Sequence, residues 1–223
     1  MRNSIILLPA ILMLALLGTY ASAATVSYSA NVPLQTTDWN TTLDLPKFNP
    51  SLGTLNSISF SLTGNLEGTV SLENQSQSPA NVGTVLNATL TLARPDMTVL
   101  VVAIPAIPRN FAATAYDGTL DYGGTSGITY PTTSASNTEN SGLLTSAADK
   151  ALFLGPGTIS LPVNAIGFAG GSGSANLALL FSADAGADAS VTYDYTTVPE
   201  PSSLLALLSG LGGLAGFAFR RKR

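Results

Sequence analysis

The middle of this chain alternates. Apolar side chains take every second place in Val26-Tyr28-Ala30, Ile58-Phe60-Leu62, Val70-Leu72, Ala88-Leu90-Leu92, Ile159-Leu161-Val163, Leu177-Leu179-Phe181 and Val191-Tyr193-Tyr195, mostly with Ser, Thr and other small or polar residues between them. A strand turns successive side chains to opposite faces, so period two implies one buried face and one wet face. Turn-forming residues punctuate the runs at Asn49-Pro50, Gly64-Asn65, Asp117-Gly118, Gly123-Gly124 and Gly155-Pro156-Gly157. Many short strands with such punctuation predict an all-β fold, an antiparallel β-sandwich of jelly-roll or immunoglobulin-like order. Met97 to Ile107 is more continuously apolar and predicts a central strand. Leu143 to Leu154, with Ala147, Ala148 and Ala151, is the one stretch where a short helix competes. Thr132–Gly142 and Ile166–Ser174 read as flexible loops.

Charge narrows the function classes. Between Ala24 and Val198 the cations are Lys47, Arg94, Arg109 and Lys150, four against twelve acids, a net charge of −8. A protein that grips nucleic acid needs a basic face to neutralise phosphate. Four scattered cations among twelve acids are too few to build one, so nucleic acid is not an expected partner. The chain contains no Cys and no His. That removes Ser-His-Asp and Cys-His catalysis, haem ligation and most zinc sites. A Ser-x-x-Lys arrangement is also missing, because Asp44 and Ala147 stand three places before Lys47 and Lys150. No acid pair is marked out for glycoside hydrolysis. The expectation is a protein that is not an enzyme and carries no cofactor.

The two ends of the chain differ from its middle. Arg2, an apolar stretch from Ile5 to Leu17, and the small residues Ala21 and Ala23 make the three-part pattern of a secretory signal peptide, cut by signal peptidase after Ala23. At the other end Val198-Pro199-Glu200-Pro201 is followed by an uncharged run from Ser202 to Phe219, then by Arg220, Arg221, Lys222 and Arg223. As a helix those 18 residues would be about 27 Å long, just enough to span a bilayer. The basic cluster would stop transfer and stay on the cytoplasmic side. Two prolines fix φ and remove two backbone donors, which keeps the motif extended and readable. The chain therefore divides into a signal peptide (1–23), an exported body (24–197) and a tail (198–223).

Pro199-Glu200-Pro201, the apolar run and Arg220 to Arg223, in that order, resemble the PEP-CTERM sorting signal. The resemblance implies handling by an exosortase-like membrane transpeptidase that cuts near the motif. It also implies a cell-surface or matrix destination, with extracellular polysaccharide as the expected partner. Within the body, Leu45-Pro46-Lys47-Phe48-Asn49-Pro50-Ser51-Leu52-Gly53-Thr54-Leu55, then Glu73-Asn74, then Asp121-Tyr122-Gly123-Gly124-Thr125-Ser126-Gly127 resemble the choice-of-anchor E domain. That resemblance implies extracellular display without an assigned chemistry. Asn49 stands where the pattern has Asp.

The remaining candidates are weaker. Asp117-Gly118-Thr119-Leu120-Asp121 and Asp184-Ala185-Gly186-Ala187-Asp188 hold oxygen ligands suited to Ca²⁺ but match no EF-hand, and they read first as turns and strand ends, so no metal ligand is assigned. Trp39, Tyr116, Tyr122 and Tyr130 offer either a sugar-stacking platform or ordinary packing. The functional expectation is a structural or adhesive surface protein. The alternative is a carbohydrate-binding module.

Overall fold

The computed structural model describes residues 22–198 and residue 210. Among the described residues nine strands form two antiparallel sheets. One sheet has the order β1 (Ala23–Thr36), β9 (Leu177–Thr197), β3 (Gly53–Asn74), β7 (Gly127–Asn140). The other has the order β2 (Trp39–Pro46), β8 (Thr158–Ser172), β4 (Ala80–Ala93), β5 (Val99–Ala103), with β6 (Ala106–Ala113) also on β4. We call them the long-strand sheet and the short-strand sheet. β5 pairs with Leu90–Ala93 and β6 with Ala80–Asn87, along the same edge of β4. They are therefore one edge strand broken at Ile104-Pro105. The expected central strand over 97–107 is thus a broken edge strand. Pro105 and Pro108 have no N–H to give a second neighbour, which confines such a segment to an edge.

The two sheets share one core. Ile58, Phe60, Leu62 and Leu66 of β3 meet Leu86, Leu90 and Leu92 of β4 and Leu161 and Val163 of β8, all fully or almost fully buried. Each such side chain contributes about 1.5–3 kcal/mol by leaving water. Gly64 and Gly68 face inward on β3. A Cβ at Gly64 would lie 2.7 Å from Leu90 Cδ1, and one at Gly68 2.4 Å from Leu86 Cδ2. The expected turn at Gly64-Asn65 is therefore a correction: β3 passes straight through it. The glycines there admit side chains of the facing sheet.

The two expected loops are strands as well. Thr133 to Asn140 of β7 pairs with Ser61–Gly68 of β3, and Ile166 to Ser172 of β8 pairs with Gly83–Thr89 of β4. One segment is rich in hydroxyls and the other in glycine, so neither shows the apolar alternation that marks a strand. The short helix was foreseen. α1 (Ala147–Phe153) starts at Ser146, whose Oγ accepts from the Asp149 amide at 3.0 Å. Its Phe153 is fully buried, with its ring 5.3 Å from that of Phe60. Arg94 ties α1 to the β4–β5 turn by pairing with both Asp149 and Asp96.

Candidate functional site

The place where the body meets its tail is held by several elements. The last residues of β9 pair with Ala23 and Ala24 of β1 on one side and with Gly53 and Thr54 of β3 on the other. Thr197 donates its amide to Ser22 O at 2.9 Å, and the Ser22 amide donates to Thr197 Oγ1 at 3.2 Å. Phe48 packs its ring 5.7 Å from Tyr193 and 5.1 Å from Tyr195. The Tyr193 hydroxyl donates to Pro46 O at 2.9 Å, and burial pushes its phenol above its ordinary range, with a smaller contribution from Tyr28. Both ends of the body therefore leave from one spot, and Val198 projects from it exposed.

Of the predicted site residues, Ala23 opens β1. Ala21, Pro199, Glu200, Pro201, Arg220, Arg221, Lys222 and Arg223 lie outside the described residues, as do most of the signal peptide and the expected span over 202–219. Among the described residues no helix is long and apolar enough to cross a membrane.

The outward side of the long-strand sheet is a field of hydroxyls and amides. On β3 it reads Ser57, Ser59, Ser61, Thr63, Asn65, Glu67, Thr69 and Ser71. Ser29, Ser190, Ser61 and Asn140 form one row across all four strands, and Asn31, Asp188, Thr63 and Thr138 the next. Neighbours bond to each other: Ser27 with Thr192 at 2.8 Å, Thr63 with Thr138 at 2.8 Å, and Asn65 to Asp188 at 2.7 Å. None of the four strands carries Lys or Arg, whereas they hold Glu67, Glu73, Glu139, Asp184, Asp188 and Asp194.

The four aromatic candidates do not form one surface. Trp39 and Tyr130 belong to different sheets. Trp39 is half-buried and donates its indole N–H to Ala185 O at 3.0 Å. Tyr130 donates to Asn110 O at 2.9 Å and has the Arg109 guanidinium 5.3 Å from its ring centre. Tyr116 and Tyr122 lie in the loop between β6 and β7. In that loop Asp117 accepts the Thr119 amide and Asp121 the Gly123 amide, both at 2.9 Å, which are turn contacts. An open cleft between β8 and β9, bordered by Thr37, Phe168, Phe181 and Asp184, has one titratable side chain, Asp184, on its wall.

Glu73 was legible only through the resemblance. It is the last outward residue of β3 and is fully buried beneath the β6–β7 loop.

The arrangement defines a β-rich body whose two chain ends leave it side by side. The family model described as the PEP-CTERM protein-sorting motif matches residues 197–223, beginning at the last residue of β9. The motif supports an exported protein that is anchored in the membrane and then processed by an exosortase. No curated protein matches the chain. Solved structures of infectious bursal disease virus show a distant likeness. T=1 particles derived from the virus are 14% identical over 81% of this chain and 41% of theirs, with a TM-score of 0.22. A VP2 subviral particle is 14% identical over 81% of this chain and 42% of its own, with a TM-score of 0.19. The chain thus spans about two fifths of those chains, and at such scores the likeness decides nothing about its fold or role.

Proposed function

We propose that this is a non-enzymatic surface or matrix protein with a structural or adhesive role in extracellular polysaccharide. In this reading signal peptidase cuts after Ala23. A helix over residues 202–219 then holds the body at the membrane until the exosortase acts near Pro199-Glu200-Pro201. The body is a jelly roll of the choice-of-anchor E type. In support, counting β5 and β6 as one broken strand leaves two four-membered sheets, with β1 and β2 in different sheets and β8 and β9 likewise.

One observation carries the role: the cation-free field of hydroxyls and amides on the long-strand sheet. It is built to exchange hydrogen bonds with neutral, hydroxyl-rich polymer. It has no means of gripping a polyanion. Weak bonds repeated across a flat face hold a long chain better than a single pocket would. The test is to place Lys at Ser61 and Ser190, two neighbours of one outward row. Export and processing should be unchanged, while the processed protein is shed from the polysaccharide matrix into the medium. Retention equal to wild type would remove the field from the account.

A further inference from the structure

We propose that the end of β3 remote from the tail is a binding site for a hard divalent cation of the Ca²⁺ class, with Glu73 as its buried carboxylate. Strand register places Glu73 between Gly127 of β7 and Ala178 of β9, neither of which has a side chain able to donate to it. Gly127 is the only residue type that fits there. A Cβ at that position would lie 2.1 Å from Glu73 Oε2 and 2.9 Å from the Gly123 amide nitrogen. The loop therefore closes directly onto the carboxylate. Glu73 and Ser126 are both 0% exposed, and neither the two Glu73 oxygens nor Ser126 Oγ has a hydrogen-bond partner in the protein. Among the described residues no ion pair reaches Glu73; Arg94 takes Asp96 and Asp149.

A buried carboxylate without donor or counter-charge is among the costliest groups a fold can hold, and buried polar atoms are otherwise satisfied. The neighbouring Asn74 illustrates the norm. Its amide donates to Ser78 O and Thr114 O and accepts from Ser174 and the Ser76 amide. Two unpartnered carboxylate oxygens under the loop, with the unpartnered Ser126 hydroxyl next to Gly127 in the loop itself, call for a positive charge with several oxygen ligands. The β6–β7 loop adds acids at its rim. Asp117 Oδ2 lies 2.9 Å from where a Gly124 Cβ would stand, and Asp121 Oδ1 3.3 Å from that of Gly123. Among the described residues no three acidic side chains converge on one point. The cation is therefore held by Glu73, the Ser126 hydroxyl and backbone carbonyls, with Asp117 and Asp121 supplying field. An all-oxygen, irregular and mostly neutral ligand set selects Ca²⁺ over Mg²⁺, and the absence of Cys and His from the chain disfavours softer metals. A weak site, in the millimolar to tenth-millimolar range of extracellular modules, is enough outside the cell. That affinity expectation rests on export; the site itself does not.

The test uses the full chain in detergent, stripped with EDTA and titrated with CaCl₂ or MgCl₂. Thermal unfolding and Tb³⁺ luminescence excited through the loop tyrosines Tyr116 and Tyr122 are the readouts. Ca²⁺ should raise the melting temperature by about 5 °C at saturation. It should also displace Tb³⁺, with Mg²⁺ far weaker. Glu73→Gln should weaken Ca²⁺ binding at least about ten-fold, and Ser126→Ala about three-fold, each shift being a fraction of an oxygen ligand's share. If Glu73→Gln does not fold, Ser126→Ala decides. The proposal is overturned by equal melting with EDTA and Ca²⁺, by Mg²⁺ matching Ca²⁺, or by Tb³⁺ emission indifferent to Glu73 and Ser126. A Glu73→Gln variant that melts higher than Ca²⁺-saturated wild type and ignores Ca²⁺ would overturn it too. None of these results depends on whether the tail is sorted.

Discussion

β3 joins two ends of the molecule that solve different problems. Gly53 and Glu73 are 20 steps apart on one strand, about 60 Å at strand rise. At the Gly53 end three strands and an aromatic cluster fix the exit of the chain, and the polar groups there are paired. At the Glu73 end a loop closes over polar side chains, one of which, Asn74, is fully bonded while Glu73 is not. The near end is built to carry a tether. The far end, pointing away from it along the strand, is built around oxygen atoms.

The sharpest way to break this contrast is at the tether. Replacing Pro199-Glu200-Pro201 by alanines should leave export intact and abolish release. All of the protein should then stay in the membrane fraction at the mass of the chain still ending in Arg223. Released protein of normal processed mass from this variant would show that the motif is not what the exosortase reads.

Next in size is Gly53→Val. Gly53 sits at φ +153°, and a Cβ there would lie 2.0 Å from the carbonyl oxygen of Thr196. The clash is with backbone on the neighbouring strand, so relief requires the end of β9 to part from β3. We expect a loss of about 3–5 kcal/mol in urea unfolding. Amide exchange should rise first at residues 194–197. Faster exchange confined to the Glu73 end would reverse the assignment of which end carries the tether.

Gly53 shows what could be read from sequence and what could not. The turn signal just before it, Asn49-Pro50, is matched by a 3-10 turn over Pro50–Leu52 that ends at Gly53. Gly64, with Asn65, looked like the same kind of signal and meant the reverse: it admits Leu90 from the opposite sheet, as Gly68 admits Leu86. Local sequence does not distinguish a glycine that bends the chain from one that makes room, because the second depends on a partner 26 or 18 residues away. Alternation placed Ile58, Phe60, Leu62, Val191 and Tyr193 in the core, since period two is a property of the strand alone. It did not give strand length. Ser134, Ser136 and Thr138 read as linker because no apolar partner marks their strand, and what holds them is backbone pairing with β3, with one cross-strand hydroxyl bond between Thr138 and Thr63. The tail motif was fully legible because its spacing is contiguous. Glu73 was not, because its isolation is created by Gly127, 54 residues later.

A third, smaller effect separates the two kinds of polar residue at the far end. Asn74→Ala removes a buried amide that makes four hydrogen bonds, at 2.9, 2.7, 3.1 and 2.6 Å, and strands their partners. It should cost about 2–4 kcal/mol whether or not Ca²⁺ is present. Glu73→Gln should be destabilising only when Ca²⁺ is supplied, because in EDTA it removes an uncompensated buried charge. If the Asn74→Ala penalty instead disappears in EDTA, the two residues act as one site and the contrast between them fails.

The smallest effect returns to the near end. Tyr193→Phe deletes a buried hydroxyl that donates to Pro46 O and leaves that carbonyl unpaired, worth about 1–2 kcal/mol. Its pH dependence follows from burial, which holds the folded phenol above its ordinary range. Below about pH 10 the phenol is protonated in both the folded and unfolded chains, so the full contribution of the hydroxyl is present. Above that value the unfolded chain releases the proton while the folded one keeps it, and stability falls by about 1.4 kcal/mol per pH unit until the folded group titrates in turn. The phenylalanine variant has no proton to release at this position. Its stability curve should therefore lie below that of wild type at neutral pH and meet it near about pH 11. A gap that stays constant through pH 11 would mean that the Tyr193 hydroxyl titrates as if exposed, and that the aromatic cluster does not seal the end of β9 from water.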